Sequence, residues 1–351
     1  MLTVAGAGMA GLCAAARARE LGLDVVVHEK GDRAGGSMLL SSCVVWRHRT
    51  LELFREECPG GDLALQRAVV EELDEALGWL ESLGAPVLQR ETGNPRTVGW
   101  RFDPRGLTEA LVRAAGEVRL RSPFPRGAAP LVLATGGFAA RMARERDLAL
   151  RANPWSEGDG LDEGLARGGA ESGGMDEFYG RAMPAPPARW GETDFVHASQ
   201  LYGRWARVLD EHGRPVWEGP PSWSENDLVQ AVARRPRGIA WYRVEAGDLT
   251  RRVRERTVAD MVAEAERLGG DVERDPGGAT VKVQAAVTHT IGGLRVDVRS
   301  RVLDASGRPV PGLYAAGADA GGIATGGYSS GLAAALVFGR RAAESAFEAD
   351  K

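Results

Sequence analysis

Leu2–Ala5 is a short apolar run that breaks at Gly6, and the residues that follow from 12 to 20 (LCAAARARE) are strong helix formers ending shortly before Gly22, a helix-stop signal. A second apolar run, 24–28 (DVVVH), reads as a buried strand, so the chain opens as strand, helix, strand. Apolar residues at helical spacing over 62–84 predict an amphipathic helix or a pair of them, and 107–115 predict another. Leu131–Ala134 is again a continuous apolar run, ending at Thr135-Gly136-Gly137, and 312–316 meets Gly317 in the same way. Residues 332–346 close the chain as a helix. Short buried strands alternating with helices indicate an α/β fold. From Glu171 to about Asp275 the character changes: Trp, Pro, Arg and Gly dominate, with breakers at 183–187 and 219–221, which suits an inserted domain of α+β type. The expected division is therefore 1–170 with 280–351, and 171–279 between them.

The turn after the first strand, Gly6-Ala7-Gly8-Met9-Ala10-Gly11, has the spacing of a dinucleotide-binding fingerprint. Gly6 would permit the tight turn, Gly8 would let the backbone approach a pyrophosphate, and Gly11 would let helix and strand pack closely. With 47 glycines in the chain a triplet alone is weak, but here it sits between the predicted strand and helix. Unpaired N–H groups and the positive end of the helix dipole would hold the anion without a basic side chain. Glu29, at the tip of the second strand, can accept hydrogen bonds from both hydroxyls of an adenosine ribose. The next stretch, Lys30-Gly31-Asp32-Arg33-Ala34-Gly35-Gly36-Ser37, resembles the arginine and glycine-pair extension of FAD-binding flavoproteins of the glutathione-reductase-like group. It favours FAD over NAD, with Ser37, Met38, Ser41 and Ser42 able to reach the pyrophosphate and the flavin N5 edge.

The far end of the chain carries a second set of motifs. Thr288-His289-Thr290-Ile291-Gly292-Gly293-Leu294, Pro311-Gly312-Leu313-Tyr314-Ala315-Ala316-Gly317, Ser330-Gly331-Leu332 and Val337-Phe338-Gly339-Arg340 lie in that order, preceded by Ala134-Thr135-Gly136-Gly137-Phe138. Together they resemble the fumarate reductase and succinate dehydrogenase flavoprotein family, to which the 3-ketosteroid dehydrogenases are related. The resemblance implies a Rossmann-like FAD-binding domain over 1–170 and 280–351 and a substrate-capping domain over 171–279 that excludes water from the flavin. It places Ala134, Thr135, Gly136, Asp159, Gly317, Asp319, Ser330 and Leu332 at the cofactor. Asp319 is expected on the ribityl hydroxyls, and the helix beginning at Ser330-Gly331 is expected to aim its N-terminus at the reduced flavin's negative charge. The connection 118–130, with three prolines, is shorter than the family's and is expected to be irregular.

The implied reaction is hydride transfer between flavin N5 and a substrate carbon, with a proton exchanged at the neighbouring carbon. His289 matches the family's substrate-binding histidine and could give a charge-assisted hydrogen bond near neutral pH. Thr290 and Gly327 are expected to shape the substrate side, with Tyr179 and Arg181 as further candidates. The capping-domain arginine that donates a proton in fumarate reductases has no counterpart in the stretch 219–227, and the final glycine-rich loop, 324–330, carries Tyr328 rather than an arginine fork. Dicarboxylate recognition loses its support without those forks. The expected substrate is therefore a small organic carbonyl compound, not fumarate or succinate, undergoing C–C desaturation or enone reduction, with Tyr328 as proton carrier. An oxidase returning electrons to oxygen and a flavin-binding protein without turnover are the alternatives. No histidine follows the glycine pair at 37–40, so FAD is expected to bind non-covalently.

Composition narrows the partners. A net charge of −4 without blocks of one sign gives no reason to expect nucleic acid or an anionic membrane. Three cysteines, at 13, 43 and 58, show no metal, haem or iron–sulfur spacing, so no metal is expected and an unidentified electron donor or acceptor must serve the flavin. Met1 leads straight into the first strand, without an apparent leader, and a cytoplasmic setting is expected. The oligomeric state is left open.

Overall fold

The computed structural model describes residues 1–349 and 351, and these divide into two compact units. The first comprises Met1–Ala139, Asn153–Glu177 and His289–Lys351. Its centre is a six-stranded sheet in the order Arg301–Leu303, Pro309–Ala315, Leu131–Leu133, Leu2–Ala5, Val25–His28, Val118–Arg119. All neighbours are parallel except the first pair. Val4 and Ala5, Val26 and Val27, and Leu131 to Leu133 are buried, as strands covered on both faces must be.

The opening helix, Met9–Glu20, begins three residues ahead of the predicted stretch, so Gly11 lies inside it. Its far end is a Schellman motif rather than a simple stop: Gly22 at φ 85° donates to Arg19 O, and Leu23 N donates to Ala18 O at 2.9 Å. The closing helix, Gly331–Ala349, lies against it so tightly that a Cβ at Gly339 would fall 2.5 Å from Ala10 O. Residues 62–84 form a single helix, Leu63–Ser82, capped by Asp62 Oδ1, which accepts from Ala64 N and Leu65 N at 2.9 and 3.0 Å. The helix expected at 107–115 starts earlier, Pro104–Ala115, with Asp103 as its cap and proline in its first turn. A small antiparallel sheet of Val44–His48, Thr97–Phe102 and Val87–Gln89 completes this unit.

The second unit comprises Ala140–Ala152 and Phe178–Thr288. Its frame is the 13-residue strand Gly278–Thr290, whose last two residues belong to the first unit. Ile239–Glu245 and Val272–Asp275 pair with it antiparallel, and Phe178–Pro184 also joins it. The helices Asn226–Ala233 and Val258–Arg267 complete a mixed α and β unit. Two stretches expected in the other domain belong here. Ala149-Leu150 pairs in parallel with Ala286-Val287, which brings 140–152 and 280–288 into this sheet. The cause is a long-range strand pairing that local composition does not encode. No helix among the described residues is long and apolar enough to cross a membrane.

Glycine to alanine inside a helix ordinarily stabilises by about 0.5–1 kcal/mol. At Gly339 the sign should reverse, because the added methyl meets the Ala10 carbonyl and overpacking costs about 1–3 kcal/mol. Urea unfolding of Gly339→Ala is expected to show a loss of about 1 kcal/mol or more; a gain would show that the two helices can move apart freely.

Candidate active site

The glycines of the opening turn do different jobs. Gly6 has φ 102°, and a Cβ there would lie 2.2 Å from Ala134 O; one at Gly11 would lie 1.9 Å from Gly6 O. Both are demanded by the fold itself. Gly8 is not: it caps the opening helix with φ −83°, and nothing stands within 4 Å of where its Cβ would be. The space in front of the helix N-terminus is open, as a pyrophosphate requires. Met9 and Ala10 are buried, which leaves their backbone rather than their side chains to face that space. The second glycine pair stands behind the first. Gly35 N donates to Ala7 O at 2.7 Å, and a Cβ on Gly36 would come 3.3 Å from Gly8 Cα.

Glu29 is buried at the end of its strand, where Oε2 accepts from Ala7 N at 2.8 Å and Oε1 from Gly31 N at 2.7 Å. A carboxylate has about four acceptor sites, so each oxygen keeps capacity for a ligand hydroxyl. Lys30 pairs with Asp159 at the first turn of the helix Asp159–Ala166, which brings two sequence-predicted residues together. Arg33 is exposed, with its guanidinium 5.5 Å from the Trp155 ring centroid. Ser37 Oγ accepts from Asn153 N at 3.3 Å. Met38 is buried, and Ser41 closes its own turn by donating to Met38 O and accepting from Cys43 N; Ser42 beside it is half-buried.

Asp319 departs from its expected role. It is wholly enclosed, and its carboxyl accepts from Thr135 N, from Thr135 Oγ1 at 3.0 Å and from Gly137 N at 3.3 Å. A Cβ on Gly160 would lie 2.7 Å from Asp319 Oδ1, so that helix start is packed against the same group. The side chain therefore ties together the turn after Leu131–Leu133 and the 159–166 helix. Burial pushes its pKa up to about 6 against those hydrogen bonds. Ala134 backs onto Gly6, Gly136 adopts φ 92° beside Ser156, and Gly317 adopts φ 67° beside Ala10.

At the other end, Ser330 caps the closing helix by accepting from Ala333 N at 3.3 Å, and it also accepts from Trp46 N at 3.5 Å. The His289 ring lies over this helix start: a Cβ on Gly331 would be 3.3 Å from its Cε1 and Nε2. Loss of solvation lowers the His289 pKa to about 4, and the positive helix end also disfavours the imidazolium. That shift favours the uncharged imidazole near neutral pH. Thr290 is buried beside Gly137 with its hydroxyl unpartnered, a polar atom awaiting a ligand or water. Leu332 is half-buried in the first turn of the helix.

Tyr328 stands half-buried with its ring 5.4 Å from Trp46, in an edge-on cluster continued by His48 and Phe54. His48 Nε2 lies 3.3 Å from Tyr328 O, and burial holds His48 near 4, so it is neutral and can donate there. Gly327 is required because a Cβ would sit 1.8 Å from Glu57 O. Tyr179 and Arg181 lie in the second unit, where the Arg181 guanidinium is 4.9 Å from the Tyr179 ring centroid and donates to Ser224 O.

Open space at Gly8, close approach at Gly6 and Gly11, acceptor capacity at Glu29 and a buried free hydroxyl at Thr290 fit a dinucleotide. Residues 2–115 and 112–332 match the FAD_binding_2 family, the FAD binding domain. The chain belongs to that family. The flavoprotein is 24% identical over 457 residues to a probable fumarate reductase of Shewanella frigidimarina, covering 98% of this chain and 74% of the relative. That aligned stretch is longer than the 351 residues here, so the relative carries segments this flavoprotein lacks. Two solved structures share the fold. One is the open conformation of a flavocytochrome c3 fumarate reductase, with TM-score 0.71, 21% identity, and 99% and 78% of the two chains covered. The other is a 3-ketosteroid-Δ4-(5α)-dehydrogenase of Rhodococcus jostii, with TM-score 0.71, 19% identity, and 99% and 96% covered. The chain is an FAD-dependent oxidoreductase.

The sequence reading missed the inward turn of Asp319, the Asn153–Ser156 turn beside the glycine pair, and His48 behind Tyr328. Only the second had a local signal, the Pro154-Trp155 pair just ahead of Gly158-Asp159-Gly160. The steric contrast among the glycines gives a test. Gly8→Ala should leave urea stability within about 0.5 kcal/mol of the parent yet lower FAD affinity of the apoprotein at least about tenfold, while Gly11→Ala should destabilise the fold. Unchanged FAD titration of Gly8→Ala would remove the pyrophosphate from this turn.

Proposed function

We propose that the enzyme transfers hydride between FAD and a carbon next to a carbonyl group, reducing an enone or desaturating the corresponding C–C bond, and that fumarate and succinate are not its substrates. What carries this reading is the 324–330 loop, which presents Tyr328 where an arginine fork would serve a dicarboxylate, together with the His289 ring over the start of the closing helix. An uncharged imidazole N–H suits a carbonyl oxygen, whereas a dicarboxylate calls for permanent cations in fork geometry. FAD, when bound, supplies the two-electron donor or acceptor.

The chain's residues supply orientation and the proton. In the reducing direction His289 donates a hydrogen bond to the substrate carbonyl, which draws negative charge onto that oxygen as hydride reaches the β-carbon. The N-terminus of the Gly331–Ala349 helix favours the same charge. Tyr328 gives its phenolic proton to the α-carbon, so the C=C double bond becomes a C–C single bond with one new C–H bond on each carbon, and the phenol is restored from solvent. In the oxidising direction each transfer reverses. Thr290 and Gly327 shape the substrate side of the loop, and the fit of the cofactor rests on Gly6 to Gly11, Glu29 and the Gly35-Gly36 turn. Electrons exchange with an external small-molecule or protein carrier.

Anaerobic absorbance of the flavin tests the reading. Dithionite-reduced enzyme should be reoxidised by cyclic or aryl enones and not by fumarate; reoxidation by fumarate alone would overturn it. With the accepted enone, Tyr328→Phe should lower kcat by about 10²- to 10⁴-fold with KM little changed. Because burial lowers the His289 pKa to about 4, kcat/KM should show no inflection near 6.5 that His289→Asn abolishes. An inflection near 6.5 that disappears in His289→Asn would instead assign a charged histidine to substrate binding.

A further inference from the structure

Trp155 belongs to the first unit and stands four residues before Asp159, the partner of Lys30. Gly31 packs directly on its indole: a Cβ at Gly31 would lie 2.5, 2.6 and 2.9 Å from Cε3, Cζ3 and Cδ2. The turn that carries it is fixed by backbone donors. Trp155 N donates to Asn153 Oδ1 at 3.0 Å, and Asn153 N donates to Ser37 Oγ at 3.3 Å. On the other side Gly31 N is held by Glu29 Oε1 at 2.7 Å, so the indole and the Glu29 carboxylate keep a set spacing through one residue. The Arg33 guanidinium stands 5.5 Å from the ring centroid, within cation–π range. A large half-buried ring is thus held beside the carboxylate available for ribose, with a cation next to it.

We propose that Trp155 forms the base-stacking wall of the cofactor site, with the adenine of FAD lying on the indole while the attached ribose is held at Glu29. This inference rests on the FAD site and not on the choice of substrate. Glu29 and Trp155 are both anchored on Gly31, so a purine joined to a ribose at Glu29 would be directed toward the indole. Any base offers a π-face, and stacking on an aromatic side chain is sequence-tolerant. Gly31 is the enabling position, since a side chain there would occupy the ring.

The test separates the two ends of the cofactor. Apoprotein, Trp155→Ala and Trp155→Phe are titrated with FAD, ADP and FMN by calorimetry. Trp155→Ala should lose about 5- to 100-fold in affinity for both FAD and ADP and keep its affinity for FMN, while Trp155→Phe stays within about threefold for all three. Equal weakening of ADP and FMN would reduce Trp155 to a packing role, and unchanged ADP affinity would overturn the proposal outright. Should Trp155→Ala not fold, tryptophan emission decides: ADP should quench the wild-type apoprotein, and that quench should be absent from Trp155→Phe. A quench that persists in Trp155→Phe refutes the assignment. Substrate turnover enters none of these readouts, so failure here is distinct from failure of the enone reading.

Discussion

The opening helix is held between the sheet and the closing helix at distances that leave no room for a Cβ at Gly6, Gly11 or Gly339. Close packing of backbone against backbone is stiffer than packing through side chains, because no rotamer can yield. The position of the helix N-terminus, and with it the anion-binding end of the site, is thereby set by the main chain. Gly8 sits on the same turn without any such contact, so its lack of a side chain serves the space beyond the protein rather than the packing within it. The Gly35-Gly36 turn inherits this placement through the hydrogen bond from Gly35 to Ala7 and its approach to Gly8.

Burial then decides charge at two points of the site. Asp319 is enclosed and ties the 135–137 turn to the 159–166 helix, and desolvation raises its pKa even though several donors surround it. His289 loses solvation, and its pKa falls to about 4. For stability these act in opposite senses. Asp319, raised in the folded state, favours folding most below its unfolded value near 3.8 and loses that contribution as pH rises through about 6. His289, lowered in the folded state, favours folding above its unfolded value near 6.5 and loses it as pH falls toward about 4.

Much of the cofactor site was legible in the sequence because its requirements are local. A strand that ends in a glycine turn, a helix that starts there and a carboxylate at the next strand end are all written within 30 residues. The resemblance at the far end added the closing strand and helix. What was not legible depends on long-range contacts. Residues 140–152 pass to the second unit through pairing of Ala149-Leu150 with a strand some 137 positions later, which no periodicity announces. The inward turn of Asp319 depends on Thr135 and Gly137, and the neutrality of His289 on packing against Gly331. Each is a property of a neighbour brought by folding, which residue type alone does not announce.

Recognition at the reacting end follows from that last point. A histidine placed over a helix N-terminus meets two terms of the same sign, desolvation and the helix dipole, and both favour its uncharged form. A carboxylate ligand could restore the charge only by supplying enough interaction to offset both. A carbonyl compound needs no such change of state: it takes one N–H donor at the start, and the helix end gains in value only as negative charge grows on its oxygen. Stabilisation that appears with the charge accelerates the reaction, whereas a permanent cation would bind substrate and product alike. Tyr328 fits the same proposal, since its phenol is held in place through its backbone by His48 and edge-on to Trp46. For the proposed carbonyl substrate, a pair that responds to developing charge serves better than a pair of permanent cations.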